Sequence, residues 1–204
     1  GTDALATQNP ATATDMYNTA VGYDAGQAIT TGTQNTLLGG LAGDAITTGV
    51  QNVAVGVDAL SQNTTANYNV AVGRSSLATM NHTDGTASYN TGVGYFAGAI
   101  ITTGIQNTCI GGLAGDAINT GSSNTVVGMG AGGAIQGGHN NTTIGTSSLG
   151  SLTSGGQNTG CGEAAGFGIS TGDGNLCLGQ DAGRANSPSG NITTESQRIC
   201  FGNS

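Results

Sequence analysis

An asparagine recurs along this chain at near-constant spacing: Asn18, Asn35, Asn52, Asn69, Asn90, Asn107, Asn124, Asn141, Asn158 and Asn175. Eight of the nine intervals are 17 residues. Four residues after each Asn comes a glycine, from Gly22 to Gly179. A period this strict identifies a repeat array, whose units bury their apolar faces only by stacking on one another. Seventeen residues is too short for a strand, a helix and their loops, and 39 glycines among 204 residues oppose helix. The length suits one coil of a parallel β-solenoid, with two short strands and two turns. The chain therefore reads as all-β, a parallel β-solenoid or β-roll of about eleven coils. At ~4.8 Å per coil the rod is on the order of 50 Å long. The Asn column should then form a ladder of side-chain amides, which explains why Asp, whose charges would stack, never replaces it.

Counting Asn as position 1, position 4 is Val21, Leu38, Val55, Val72, Val93, Ile110, Val127, Ile144, Cys161 and Leu178. Apart from Cys161 these are large apolar side chains, and position 2 is Thr or Val until Leu176. Positions 2 and 4 share one side of a strand, so this side is expected to form the core. Position 3 is mostly small, which suggests that a second backbone approaches the opposite side closely. Positions 9 and 12 trade volume. Gly26, Gly43, Gly98, Gly115, Gly132 and Gly166 are each followed three residues later by Ile, whereas Leu60 precedes Asn63 and Leu77 precedes Met80. Leu149 with Leu152 and Gly183 with Asn186 depart from that trade.

The register organises the chain as a single array. Residues 1–17 are a partial coil with an insertion, 18–197 hold ten coils, and 198–204 are a partial terminal coil. Further insertions fall near 81–89 and 186–195. Gly1-Thr2-Asp3-Ala4-Leu5 matches Gly56-Val57-Asp58-Ala59-Leu60, which puts Gly1 at position 5. Both ends interrupt a repeat, as in a segment of a longer protein.

Composition narrows the function. The net charge is −8 and the only cations are Arg74, Arg184 and Arg198. No basic patch for phosphates can be assembled, so nucleic acid is not an expected partner. No apolar run approaches the ~18 residues of a membrane span, and membrane insertion is not expected. Among the four cysteines, Cys109, Cys177 and Cys200 share position 3, and Cys161 stands alone at position 4. There is no CxxC spacing for zinc. Cys177 and Cys200 sit on one side of adjacent repeats and could pair, although buried free thiols are the simpler reading.

The pattern Asn18-Thr19-Ala20-Val21-Gly22-Tyr23, with Thr-Thr-Gly spacers, resembles repeats in tail-fibre and spike proteins of phages, notably cyanophages, and of large algal viruses. There the repeats often precede an intramolecular-chaperone peptidase domain, and Gln197 to Ser204 is similar to the segment leading into it. The strand is also similar to head repeats of trimeric autotransporter adhesins. The resemblance implies a homotrimeric fibre segment, on a virion or a cell surface, that serves host attachment. A bacterial surface adhesin is the alternative with the same physics.

No enzyme is expected, and no cofactor or metal. Gly128-Met129-Gly130-Ala131-Gly132-Gly133 matches GxGxxG, but its glycines are repeat positions with no strand-helix unit around them. The recurrent Asp24, Asp44, Asp58, Asp116 and Asp181 read as turn acids. Glu163 and Glu195 read as solubilising acids. The pairs Thr30-Thr31, Thr47-Thr48, Thr64-Thr65 and Thr102-Thr103 offer a hydroxyl face of the kind an ice-binding solenoid needs, though turn chemistry accounts for them more simply. The interruptions are the best candidates for contacting a host-surface glycan or protein: Tyr17, His82, Asp84, Tyr89, Asn186, Ser189 and Asn191.

Overall fold

The computed structural model describes residues 1–9, 15–185 and 187–202. The chain is an all-β parallel solenoid with one strand per repeat: β1 (Thr19–Val21), β2 (Thr36–Leu38), β3 (Val53–Val55), β4 (Val70–Val72), β5 (Thr91–Val93), β6 (Thr108–Ile110), β7 (Thr125–Val127), β8 (Thr142–Ile144), β9 (Thr159–Cys161), β10 (Leu176–Leu178) and β11 (Ile199–Phe201). The strands form one sheet in sequence order, every neighbouring pair parallel and in repeat register. The coil containing each strand is called a rung and carries that strand's number. Among the described residues, no coil has the second strand that was expected. The rest of the coil is turns and bends, which still bond from rung to rung, as in Gly26 N–H to the Ala42 carbonyl at 3.0 Å.

The asparagine ladder is present and explains the invariance of position 1. In the uninterrupted rungs each Oδ1 accepts two bonds from the next Asn. For Asn107 these are Asn124 N–H at 3.1 Å and Asn124 Nδ2 at 3.0 Å. Asn107 Nδ2 in turn donates to Asn90 Oδ1 at 3.2 Å and to the Gly121 carbonyl at 2.8 Å. Both hydrogens and both lone-pair sites are used, and the side chain is buried. The ladder adapts at the insertion near 81–89. Ser88 Oγ donates to Asn69 Oδ1 at 2.9 Å, while Asn90 N–H keeps its bond to the same oxygen at 3.0 Å. At the last rung Arg198 supplies only its backbone N–H, to Asn175 Oδ1 at 3.0 Å.

The two sides of the strand are the reverse of the expectation. Position 3 is the buried one, including Leu37, Ala54, Ala71, Cys109, Val126 and Cys177. Positions 2 and 4 face outward, so Val21, Leu38, Val55, Val72, Val93, Ile110, Val127, Ile144 and Leu178 are not the core, and none of them is buried. Asn at position 1 must point inward to reach the position-15 carbonyl, and pleating then turns position 3 inward and positions 2 and 4 outward. Position 3 is small because the coil is narrow, not because a second molecule approaches there.

The interior is filled by position 3 together with positions 8, 9 and 12. A Cβ on Gly26 would lie 2.6 Å from Leu37 Cδ1 and 3.1 Å from Ile29 Cδ1, so glycine at position 9 leaves the space that Ile at position 12 takes. The trade extends to the next rung. After Leu5, Leu60, Leu77 and Leu149, position 3 is Ala20, Ala71, Gly92 and Gly160. A Cβ on Gly160 would lie 2.9 Å from Leu149 Cγ, which is how Leu149 and Leu152 are both accommodated. The other apparent exception resolves differently. Ile192 returns after the last insertion to stand beside Gly183, and its N–H bonds the Gly183 carbonyl at 3.0 Å. Position 5 is glycine for a backbone reason. Gly56 has φ +134, and a Cβ there would lie 2.6 Å from the carbonyl oxygen of Gly73. At the start of the chain, Leu5 N–H bonds the Ala25 carbonyl at 3.1 Å, and Asp3 and Leu5 share the left-handed φ of Asp58 and Leu60, as the register required.

Candidate functional site

The outward side of the sheet is the most unusual surface of the molecule. Positions 2 and 4 of all eleven strands contain Thr, Val, Leu, Ile, Cys161 and Phe201, with no charged residue. Position 6 widens the face with Tyr23, Val57, Tyr95 and Met129, each about half exposed or more. With ~4.8 Å between strands and ~3.3 Å per residue, the uncharged strip from position 2 to position 4 over eleven rungs covers roughly 500 Å². The largest apolar patch on a typical monomer is about 300–600 Å².

Aromatic residues border this face on two adjacent rungs. Before β4 and β5 stand Tyr68 and Tyr89, their rings stacked at 5.1 Å and 10°. After the same two strands come Arg74, Tyr95 and Phe96. The Arg74 guanidinium lies 6.0 Å from each ring, and the rings are 4.5 Å apart. Arg184, by contrast, is tied to Asp181 at 2.6 Å and lies 5.2 Å from the Phe167 ring. Tyr68, Arg74, Tyr95 and Phe96 were not singled out by sequence reasoning. They are noticeable only once positions 2, 4 and 6 are known to face outward.

The interruptions divide into exposed and spent residues. Tyr17 is 70% exposed and its hydroxyl donates to Asp15 at 2.9 Å. Tyr89 is exposed on one side and stacked on the other. His82 is buried, with Nε2 lacking a hydrogen-bond partner, and so cannot serve as an exposed contact. Its carbonyl accepts the hydroxyls of Thr64 and Thr65, and it stands at position 14, where most other rungs carry Thr. Asp84 is exposed but engaged locally. The Thr86 hydroxyl and backbone N–H both donate to it and hold its carboxyl below the usual range. Ser189 Oγ accepts the Phe201 N–H at 2.9 Å, capping β11, while Asn191 is exposed. Asn186 lies outside the described residues. The Thr-Thr turns do not form a free hydroxyl face at their first residue. Thr30 and Thr47 donate to the carbonyls of Thr47 and Thr64 at 3.2 and 3.1 Å, the turn chemistry expected of them.

Few titratable groups are perturbed. Burial raises the carboxyl pKa of Asp44 and Asp116, and Asp44 Oδ1 has no hydrogen-bond partner. Burial pushes the Cys109 and Cys177 thiols up to about 12. Cys177 and Cys200 are register partners and both are free thiols, whereas Cys161 is exposed on the sheet face. Among the described residues no three His, Cys, Asp or Glu side chains converge as metal ligands, and no helix is long and apolar enough to cross a membrane. The chain matches no protein-family model, no curated protein and no solved structure.

Proposed function

We propose that this chain is a rigid structural segment of a fibre or spike by which a virus attaches to its host, with three copies running parallel along one axis. The observation that supports it is the uncharged strip of Thr, Val, Ile and Leu side chains that positions 2 and 4 present along one parallel sheet of eleven strands. This strip of roughly 500 Å², widened by the aromatic borders, supplies most of the ~800 Å² per partner of a stable protein interface. Inward-pointing Asn and outward-pointing Val or Ile make the rod stiff along its axis and adhesive along one side. The loops near 81–89 and 187–195 leave the coil outside the strands and stay available to a host-surface glycan or protein. Three copies would present any weak contact in triplicate, and avidity would supply the strength. A bacterial adhesin stalk uses the same physics and differs in the organism that carries it. Sedimentation equilibrium should return three times the 19.7 kDa of one chain. A stable monomer with its β structure intact would refute the assembly.

A second reading attaches to the same face. Thr91, Thr108, Thr125, Thr142 and Thr159 stand outward on consecutive rungs beside Val93, Ile110, Val127 and Ile144, a flat hydroxyl-methyl array of the kind that binds ice. A monomer with thermal hysteresis would favour this reading over the fibre.

A further inference from the structure

We infer that copies of this chain associate side by side, parallel and in register, by joining the Tyr68–Tyr89 edge of one sheet face to the Arg74–Tyr95–Phe96 edge of the next. The inference rests on the proposed assembly for its existence, but it adds the register, the polarity and the residues that set them.

All strands are parallel, so the face has two chemically distinct borders. One is formed by the residues preceding position 1, the other by positions 6 and 7. The first border is mostly Gln, Ser or Asn, and its stacked aromatic pair, Tyr68 and Tyr89, occurs only on rungs 4 and 5. On the opposite border, a cation over two aromatic rings occurs on those same two rungs. The coincidence has a geometric consequence. Rotation about an axis parallel to the rod brings the first border of one copy against the second border of its neighbour at equal height. Rung 4 then meets rung 4 and rung 5 meets rung 5. Tyr faces and hydroxyls are placed against a guanidinium that forms no salt bridge among the described residues. Antiparallel packing of two faces would set rungs 4 and 5 against rungs 8 and 7. The border residues there are Asn140, Ser123, Thr146 and Met129, and the aromatic pairs would have no counterpart.

The chemistry is that of an interface centre. Tyr and Arg dominate binding hot spots, and an Arg above aromatic rings gains strength when desolvated. The rest of the face is uniform along its length and cannot by itself resist a slip of one rung, because Val, Ile and Thr repeat at each step. The aromatic blocks at rungs 4 and 5, together with Tyr17 and Tyr23 on the two borders of rung 1, stand level with one another only when the copies are in register. Unlike borders meet about any axis parallel to the rod, two-fold or three-fold, so the border pairing sets polarity and register while the mass of the assembly sets the number of copies.

The test uses two variants of the chain in a Cys161→Ser background, which removes the exposed thiol. One carries Tyr89→Cys and the other Tyr95→Cys. Each is oxidised alone and after the two are unfolded and refolded together, and circular dichroism confirms that each retains the β fold. A disulfide-linked pair containing one chain of each kind is expected in the mixture, with no linked pair from either variant alone. An assembly of normal mass that yields no mixed pair would overturn the edge pairing while leaving the fibre reading intact. Linked pairs within one variant alone would show like borders meeting and would also overturn it. A monomeric mass for the unsubstituted chain would refute the assembly itself.

Discussion

Each asparagine of the ladder except Asn175 is a four-bond junction, and no other side chain of that size carries two donors and two acceptors. Replacing Asn107 by Ala would strand the Gly121 carbonyl and the Asn124 N–H and Nδ2 inside the coil. At roughly 1–3 kcal/mol for each buried group left unpaired, a loss of about 3 kcal/mol or more is expected in urea denaturation. Asn107→Asp should be worse at neutral pH, because a buried carboxylate cannot donate to Asn90 or Gly121. Its deficit should shrink as pH falls, since burial raises the carboxyl pKa in the folded state and protonation then favours folding. A pH-independent deficit would contradict this reading of the ladder. The ladder was legible from spacing alone, because a polar residue that never drifts within an apolar repeat has to be satisfied by its own copies. The burial of His82 was not legible. Sequence placed it in a polar insertion, and only the path of the folded chain puts its side chain inside.

At the level of one rung, the strand is a three-residue element with two apolar sides of different kinds. The inward side is limited by volume, and the outward side is limited by nothing within the chain. This is why the core was assigned to the wrong side. Alternation normally distinguishes core from solvent by polarity, but here the large apolar residues of position 4 face outward while the mostly small residues of position 3 fill the interior. The usable signal lay in the volume trade, which read positions 9 and 12 as interior yet stopped short of position 3. Leu77 and Gly92 test the completed rule, since a Cβ on Gly92 would lie 3.0 Å from both Leu77 Cγ and the Ala97 carbonyl oxygen and nearer still to Ser76 Oγ, so removing Leu77 should relieve part of the conflict. Gly92→Val alone should destabilise by overpacking, by about 1–3 kcal/mol. Leu77→Gly alone opens a cavity, at a position whose φ of 49° glycine tolerates. The double variant should recover at least about 0.5 kcal/mol relative to the sum of the singles. Strict additivity in a double-mutant cycle would mean that the two residues do not share one space.

Across the whole molecule, the fold follows from the period, whereas the use of the fold depends on which side of the sheet faces out. The parallel order and register followed from the 17-residue spacing, and the insertions fell where the spacing broke, but the strand count did not, since each coil keeps one of the two strands expected. The adhesive face and its aromatic borders did not, because they depend on the inside-outside assignment that alternation misjudged. Cys161 offers a native probe of that face. It sits at position 4 near the middle of the face, whereas Cys109, Cys177 and Cys200 are buried. Mild oxidation of the unsubstituted chain, read on a non-reducing denaturing gel, tests the three-copy packing most directly. Around a three-fold axis three thiols meet and only two can join, so two of every three chains should end in linked pairs and the third should stay single. Complete conversion to linked pairs, or no linkage at all, would contradict three sheet faces meeting around one axis.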